Sequence, residues 1–334
     1  MCTESDVAAR GGRQLALTDL AAIGERLRRA GLTEGALLAW ARTHRLSALP
    51  PRLGGLVARP PVPAAAALAV FVAGAELPAE ALRALKPIDE LIAVGLLERA
   101  GDRVRAPLAI VPHGPALLVC DHHDAADDEQ LVCWPDDSSY HLATAIEPGR
   151  RARWIDLACG SAFAPLYHPE LAEEIRGVDL NPRAVRMARL GAGLTGCRHI
   201  TAEEADIGAA HAPAVLVTCN APIPGDPDAA IWRRAEPGFF GRMWPAARAA
   251  LAPGGEVIVH SALEAVPTDL VGEAVTVVYT PPGERGYCVT WWRPDAPARR
   301  IACQRALSPG RPHLDPRDRE DALAGRLAPH DSGA

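Results

Sequence analysis

The chain has 334 residues, 49% of them apolar, and a formal net charge of −6. That length can bury a core in one large domain or two smaller ones. The acidic balance argues against a nucleic-acid footprint, although the basic side is almost all Arg, with Lys86 the single lysine.

The first residues, 1–16, read as a flexible N-terminus without a charged-then-apolar leader, and no uninterrupted apolar run of about 18 residues follows. No membrane partner and a cytoplasmic location are therefore expected. Eight cysteines are scattered without a C-x-x-C pair, which predicts reduced thiols and no structural zinc.

From Leu17 to about Ala100 the pattern is helical. "LTDLAAIGERLRRAG", "LTEGALLAWARTH", "PVPAAAALAVFVAG", "LPAEALRAL" and "IDELIAVGLLERAG" place apolar residues at three-and-four spacing between Pro or Gly breaks. Two strand-like runs, "DRVRAPLAIVPHG" and "ALLVCDHHD", then meet at Pro112 and Gly114 as a hairpin wing. Residues 17–130 thus read as a helical, winged-helix-like domain. Its second helix carries acids and apolar groups rather than base-reading side chains, so a lid or homodimer surface is expected ahead of DNA binding. "DHHDAADDE" reads as a solvated loop rather than a metal site, because adjacent histidines in a strand point apart.

Residues 131–306 alternate strand and helix. The strands are "RWIDLA", "EIRGVDL", "HITAEEADI", "AVLVTCN" and "EVIVHSAL", with "AVTVVYT" and "GYCVTWW" closing as a pair around "PPGERG". Helices are expected from about Ala164, in "NPRAVRMARLGAGL" and in "AAIWRRAEPGFFGRMWPAARAAL", where Trp232, Phe239, Phe240 and Trp244 either close the substrate side or pack the core. This order predicts an α/β doubly wound sheet with ligands outside the carboxyl ends of its strands. Trp291 and Trp292 are expected on opposite faces of that sheet. Residues 307–334, rich in Pro, Asp, Arg and Gly, read as a flexible or surface-draped tail.

The segment "WIDLACGSAFAPLY" (154–167) is an apolar strand ending in an acid, followed by a small-residue turn around Gly160. Such a turn lets backbone approach a ligand, and Asp179, at the end of the next strand in "GVDLNP", suits ribose hydroxyls. Together with "EEADI" and "VTCNAP" in that order, the pattern resembles the class I S-adenosylmethionine (SAM) methyltransferases, with Ala158 and Ala162 in place of the outer glycines. Alanine serves there if its φ stays negative.

The resemblance implies a Rossmann-like seven-stranded fold, SAM as cofactor and a small-molecule substrate. It places Asp156, Ala158 and Gly160 along the methionine part, Asp179 on the ribose, Leu180 on the adenine and Asp206 at the adenine amino group. Asp156 as a helix cap and Asp206 as a solvated turn acid are the alternatives.

The chain also looks like the release-factor glutamine methyltransferase branch. That likeness rests on its helical N-terminal module, on "VDLNPRAVRMARLGAGL" and on "CNAPIP", where the branch carries Asn-Pro-Pro-aromatic. Asn220 remains, but Ala221 and Ile223 replace the first Pro and the aromatic, so the clamp for a planar amide is missing.

Azetidine-2-carboxylate synthases of natural-product pathways share the fold and suggest the leading reading. In it the SAM α-amine attacks its own γ-carbon and releases methylthioadenosine, with Tyr167 facing the sulfonium and Asn220 orienting the amine. Methyl transfer to a small natural-product or peptide acceptor is the second reading, and an inactive SAM-binding regulator the third. A half-buried packing residue is the competing role for Tyr167. In "CWPDDSSYHLATA" (133–145), Asp137, Ser138, Ser139 or Tyr140 is placed at the methionine end of SAM, with a linker and an N-capped helix as the alternative. His141, His168 and His260 are isolated, and spacing singles out none as a base.

Overall fold

A computed structural model describes residues 17–49, 52–57, 65–225 and 234–330. The expectations for residues 1–16, for Trp232 and for the opening of "PVPAAAALAVFVAG" lie outside the described residues. The chain divides into two units, residues 1–125 with 190–198, and residues 126–189 with 199–334. Among the described residues no helix is long and apolar enough to cross a membrane.

In the first unit, α1 (Leu17–Arg29) and α2 (Glu34–Ala41) follow the apolar spacing and bury Ile23, Leu27 and Leu37. Thr33 caps α2 by accepting from the Ala36 amide at 3.3 Å. Two short helices follow, α3 (Leu53–Val57) and α4 (Ala66–Phe71), the latter buried throughout.

Next come β1 (Leu77–Pro78), a 3-10 run over Ala79–Leu85, α5 (Ile88–Ala93), β2 (Glu98–Ala100) and β3 (Arg103–Arg105), paired antiparallel in the order β1-β3-β2. A strand, two helical segments and a two-strand hairpin thus follow one another in this unit. The hairpin that follows the helical segments is β2–β3 around Gly101, not the later pair read as the wing. β4 (Ala109–His113) and β5 (Ala116–Cys120) form a separate buried two-stranded sheet. The helix expected through Gly101 stops at Ala93 because Gly95 turns left-handed at φ 75°, and the Gly95 and Leu96 amides donate back to Ile92 and Leu91.

In the second unit the strands are β6 (Arg151–Leu157), β7 (Ala172–Asp179), β8 (Ile200–Glu204), β9 (Ala214–Asn220), β10 (Leu251–Ala262), β11 (Glu273–Val278), β12 (Tyr287–Arg293), β13 (Arg299–Gln304) and β14 (Ala328–Pro329). They form one sheet in the order β14-β13-β11-β12-β10-β9-β6-β7-β8. β8, β7, β6, β9 and β10 run parallel, and β12 is antiparallel to both β10 and β11. Counted from β6, the first seven strands lie in the order 3-2-1-4-5-7-6 with the seventh reversed, which is the Rossmann-like fold of class I methyltransferases.

The strand order reverses between β6 and β9, so a crevice opens at their carboxyl ends. α6 (Asp137–Thr144), α7 (Phe163–Tyr167), α8 (Pro182–Thr195) and α9 (Phe239–Ala249) accompany the sheet. Trp291 donates to the Ala145 carbonyl, while Trp292 donates to that of Val271 and meets Trp244 edge to face, so the two rings occupy opposite faces.

The described part of the segment read as a flexible or surface-draped tail, residues 307–330, is folded. β14 pairs antiparallel with β13 at the edge of the sheet, and α10 (Pro316–Leu323) is closed at its start by a capping box of Asp315 and Asp318. Asp318 and Arg305 are buried and 2.8 Å apart, and Arg305 also donates to the His313 carbonyl at 2.7 Å. Arg319, likewise buried, reaches Glu147 and Glu273 at 2.6 Å each. Periodicity misses this segment because polar pairs rather than an apolar stripe hold it.

Removing one partner of a buried ion pair strands the other charge. Asp318→Ala is therefore expected to lower unfolding stability by about 3–5 kcal/mol in denaturant titration. Asp321→Ala, which removes the partly exposed pair with Arg326, is expected to cost less than about 1 kcal/mol.

Candidate functional site

The turn after β6 is built from alternating left-handed residues: Ala158 at φ 51°, Gly160 at 53° and Ala162 at 56°. The sequence reading required negative φ at both alanines, and the structure reverses it. A non-glycine residue in this region costs on the order of 1 kcal/mol, so the surroundings must over-determine the turn. They do so through three backbone donors. The Cys159 amide donates to the Val178 carbonyl at 3.0 Å, the Ala162 amide to that of Cys159 at 2.8 Å, and the Gly160 amide to Asp179 Oδ2 at 2.8 Å. Gly177 in β7 admits the turn, because a Cβ there would lie 2.7 Å from Cys159 Sγ. At Gly160 itself a Cβ would meet nothing within 4 Å, and the space in front of it is a cavity.

That cavity is about 1030 Å³ and is lined by Ala158, Gly160, Asp179, Leu180, Asp206 and Asn220 of the sequence-selected set. Asp179 closes β7 and also accepts from the Asn181 amide at 2.8 Å through Oδ1. Burial pushes its carboxyl above the usual range, against the pull of those backbone donors. Leu180 stands 62% exposed on the wall, an apolar face without an apolar cover. Asp206 follows β8 and holds the Gly208 amide at 2.7 Å, so the turn-acid role coexists with its place on the cavity.

Asn220 ends β9, and its Nδ2 donates to Ser138 Oγ at 3.0 Å and to Ser139 Oγ at 3.4 Å. Ser138 in turn donates to Asp136, which caps α6 by accepting from the Ser138 and Ser139 amides. With the amide nitrogen so occupied, Oδ1 of Asn220 is the group presented to a donor. Ser139 is buried and supports Asn220 without itself lining the cavity, whereas Asp136, Asp137 and Ser138 do line it.

Further along the sheet edge the lining carries His260, Tyr279 and Tyr287. His260 pairs in register with Asn220 across β9 and β10, and its Nε2 lies 2.8 Å from the Tyr279 hydroxyl. Behind them His141 stacks on Tyr279 with centroids 3.7 Å apart, and its Nδ1 accepts from the Leu314 amide at 3.0 Å. Burial, with His260 and His313 nearby, pushes the His141 imidazole down to about 2, so it stays neutral. Sequence spacing did not reveal this wall, because its members lie on separate strands. The usable signal was their place at the sheet's functional edge, with His260 near the carboxyl end of a parallel strand and the two tyrosines flanking the "PPGERG" turn.

With Ser139, two further selected residues lie off the cavity. Tyr167 is among neighbouring rings, with centroids 6.3 Å from Tyr140, 5.6 Å from Phe163 and 4.5 Å from His168, and it is not on the cavity wall. Asp156 is buried inside the sheet, where the Trp154 indole donates to Thr218 Oγ1 at 2.7 Å and that hydroxyl donates to Asp156 Oδ1 at 2.5 Å. It therefore ties β6 to β9 instead of lining the cavity or capping α7.

No protein-family model and no curated protein matches the chain. Among solved structures, it is similar to a predicted O-methyltransferase from Agrobacterium tumefaciens at 20% identity, over 59% of this chain and 100% of the other, with a TM-score of 0.40. A 16S rRNA N2 G1207 methyltransferase from T. thermophilus matches at 20% identity over 58% and 46%, with a TM-score of 0.39. The YcgJ protein from Bacillus subtilis matches at 15% over 37% and 50%, with a TM-score of 0.31. The match spans half or less of the last two.

Burial, opposed by the Thr218 hydrogen bond and reinforced by Asp179, raises the Asp156 carboxyl to about 7. A group raised in the folded state holds its proton there after the unfolded chain has lost it, so stability falls as pH rises through that window. Asp156→Asn keeps the acceptor for Thr218 but cannot ionise. Between about pH 4 and pH 8, unfolding free energies should shift in favour of the variant by about 4 kcal/mol. A difference between the two proteins that stays constant with pH would contradict the assignment.

Proposed function

We propose that the second unit binds SAM in this cavity and transfers its methyl group to an acceptor held against the His260–Tyr279–Tyr287 wall. The observation that carries the reading is convergence. Residues chosen from four separate strand ends, Gly160, Asp179, Asp206 and Asn220, line one cavity at the switch point of the sheet. In this reading Asp179 takes the ribose hydroxyls on the outer lone pairs of a carboxylate already fixed by two amides. Leu180 covers the adenine, Asp206 accepts from its amino group, and the methionine end runs along Ala158–Gly160 towards Asn220. A volume of about 1030 Å³ meets the upper end of the roughly 300–1,000 Å³ typical of one drug-sized ligand, which leaves room for an acceptor. Without a Pro at Ala221 or an aromatic at Ile223 to grip a planar amide, that acceptor is not a glutamine side chain.

Cyclisation of SAM to azetidine-2-carboxylate is the second reading. Asn220 favours it, since its oxygen is the presented group and an α-amine would donate to it. The position of Tyr167 off the cavity wall removes the cation–π partner on which that reading rested, and so methyl transfer stands first.

Mass spectrometry of the protein with SAM decides between them. Methyl transfer predicts intact SAM until an acceptor is added and S-adenosylhomocysteine afterwards. Methylthioadenosine with a four-carbon cyclic amino acid from SAM alone would establish the cyclase instead. For the cofactor site, Asp179→Ala is expected to weaken SAM binding at least about tenfold in calorimetry. Unchanged affinity in a folded variant would remove the ribose assignment.

A further inference from the structure

The cavity lining beside Asn220 holds two groups able to exchange a proton. Tyr279 and His260 both line the cavity, their hydroxyl and Nε2 are 2.8 Å apart, and the pair sits one ladder partner from Asn220. They come from different strand ends and are held independently. Tyr279 stacks on the buried, neutral His141, whose tautomer is fixed by the Leu314 amide, and the His260 ring lies parallel to that of Tyr287 with centroids 6.2 Å apart. A tyrosine that is merely packed does not need a histidine on its hydroxyl inside a ligand cavity.

We propose that Tyr279 and His260 form a proton-accepting dyad for an acceptor bearing an aromatic hydroxyl. The inference rests on the SAM reading and adds to it the substrate class and the base. As the phenol oxygen bonds to the methyl carbon and the carbon–sulfur bond breaks, the phenol proton passes to the Tyr279 oxygen and the Tyr279 proton to His260 Nε2. The positive charge of the sulfonium ends on the imidazolium, and S-adenosylhomocysteine leaves neutral.

Acidity selects the class. A phenol ionises near 10 and an imidazole near 6.5, a gap of about 3.5 pH units that a hydrogen-bonded dyad can bridge, whereas an aliphatic alcohol is far more basic. The flat rings of Tyr287 and Phe239 on the cavity wall suit an aromatic acceptor. Burial, with Asp136 and Asp137 facing it, pushes the Tyr279 phenol well above its ordinary value, so it relays a proton without standing ionised. The other titratable groups around the pair are His141, Cys288 and Tyr287, with His313 against the far side of His141.

The test titrates 4-nitrophenol, followed by its absorbance, into the full chain saturated with sinefungin, a SAM analogue carrying a cationic amine and no transferable methyl group. The dyad predicts that bound 4-nitrophenol ionises at least about one pH unit below the free compound. Tyr279→Phe and His260→Gln should each abolish that shift while sinefungin affinity stays within about twofold, so that a merely structural defect is recognised. A phenol that fails to bind, or binds with its free ionisation, overturns the proposal, as does a shift that survives both substitutions. Failure of sinefungin to bind wild-type protein is a separate result, and it overturns the SAM reading on which the dyad rests.

Discussion

The carboxylate of Asp179 is the constraint on which the rest of the site depends. One oxygen holds the Gly160 amide and the other the Asn181 amide, so a single side chain at the end of β7 fixes both the left-handed turn after β6 and its own loop. Without it, a turn with two alanines at positive φ has less to offset its strain. In the proposed reading, ligand recognition follows from the same contact. Backbone donors on its inner lone pairs hold the carboxylate where its outer ones face the cavity, which costs no rearrangement on binding.

A second set of constraints builds the other wall, and much of it comes from the C-terminal segment. Leu314 fixes His141, His313 lies 3.5 Å from Asp137 and stacks on Tyr140, and the Thr144 hydroxyl donates to the Leu314 carbonyl. Arg305 and Asp318 hold this segment down through a buried charge pair. Stability and site geometry are thus coupled, because the residues that anchor the last helix also brace α6, which carries the Asp136–Ser138–Asn220 chain.

The sheet was legible because its strands are apolar runs ending in small or acidic residues; Gly160 and Asp179 were picked out by that pattern, whereas Leu180, Asp206 and Asn220 were picked out by the resemblance to class I methyltransferases. What pattern reading missed had other physical causes. Asp156 looks like a ligand residue in one dimension, yet its side chain points into the sheet, where Thr218 and Trp154 take it up. Tyr167 lies in the right helix but among Tyr140, Phe163 and His168. His260 and Tyr279 are isolated in sequence and become partners only when β10 and β11 lie on either side of β12. The tail escaped because charge pairs have no period.

The most direct measurement of the central claim is a crystal structure of the protein grown with S-adenosylhomocysteine. The account predicts the adenine against Leu180 with its amino group towards Asp206, both ribose hydroxyls on Asp179, and the sulfur beside the Ala158–Gly160 turn facing Asn220. A nucleoside bound elsewhere, or a cavity left without it at saturating ligand, would contradict the account.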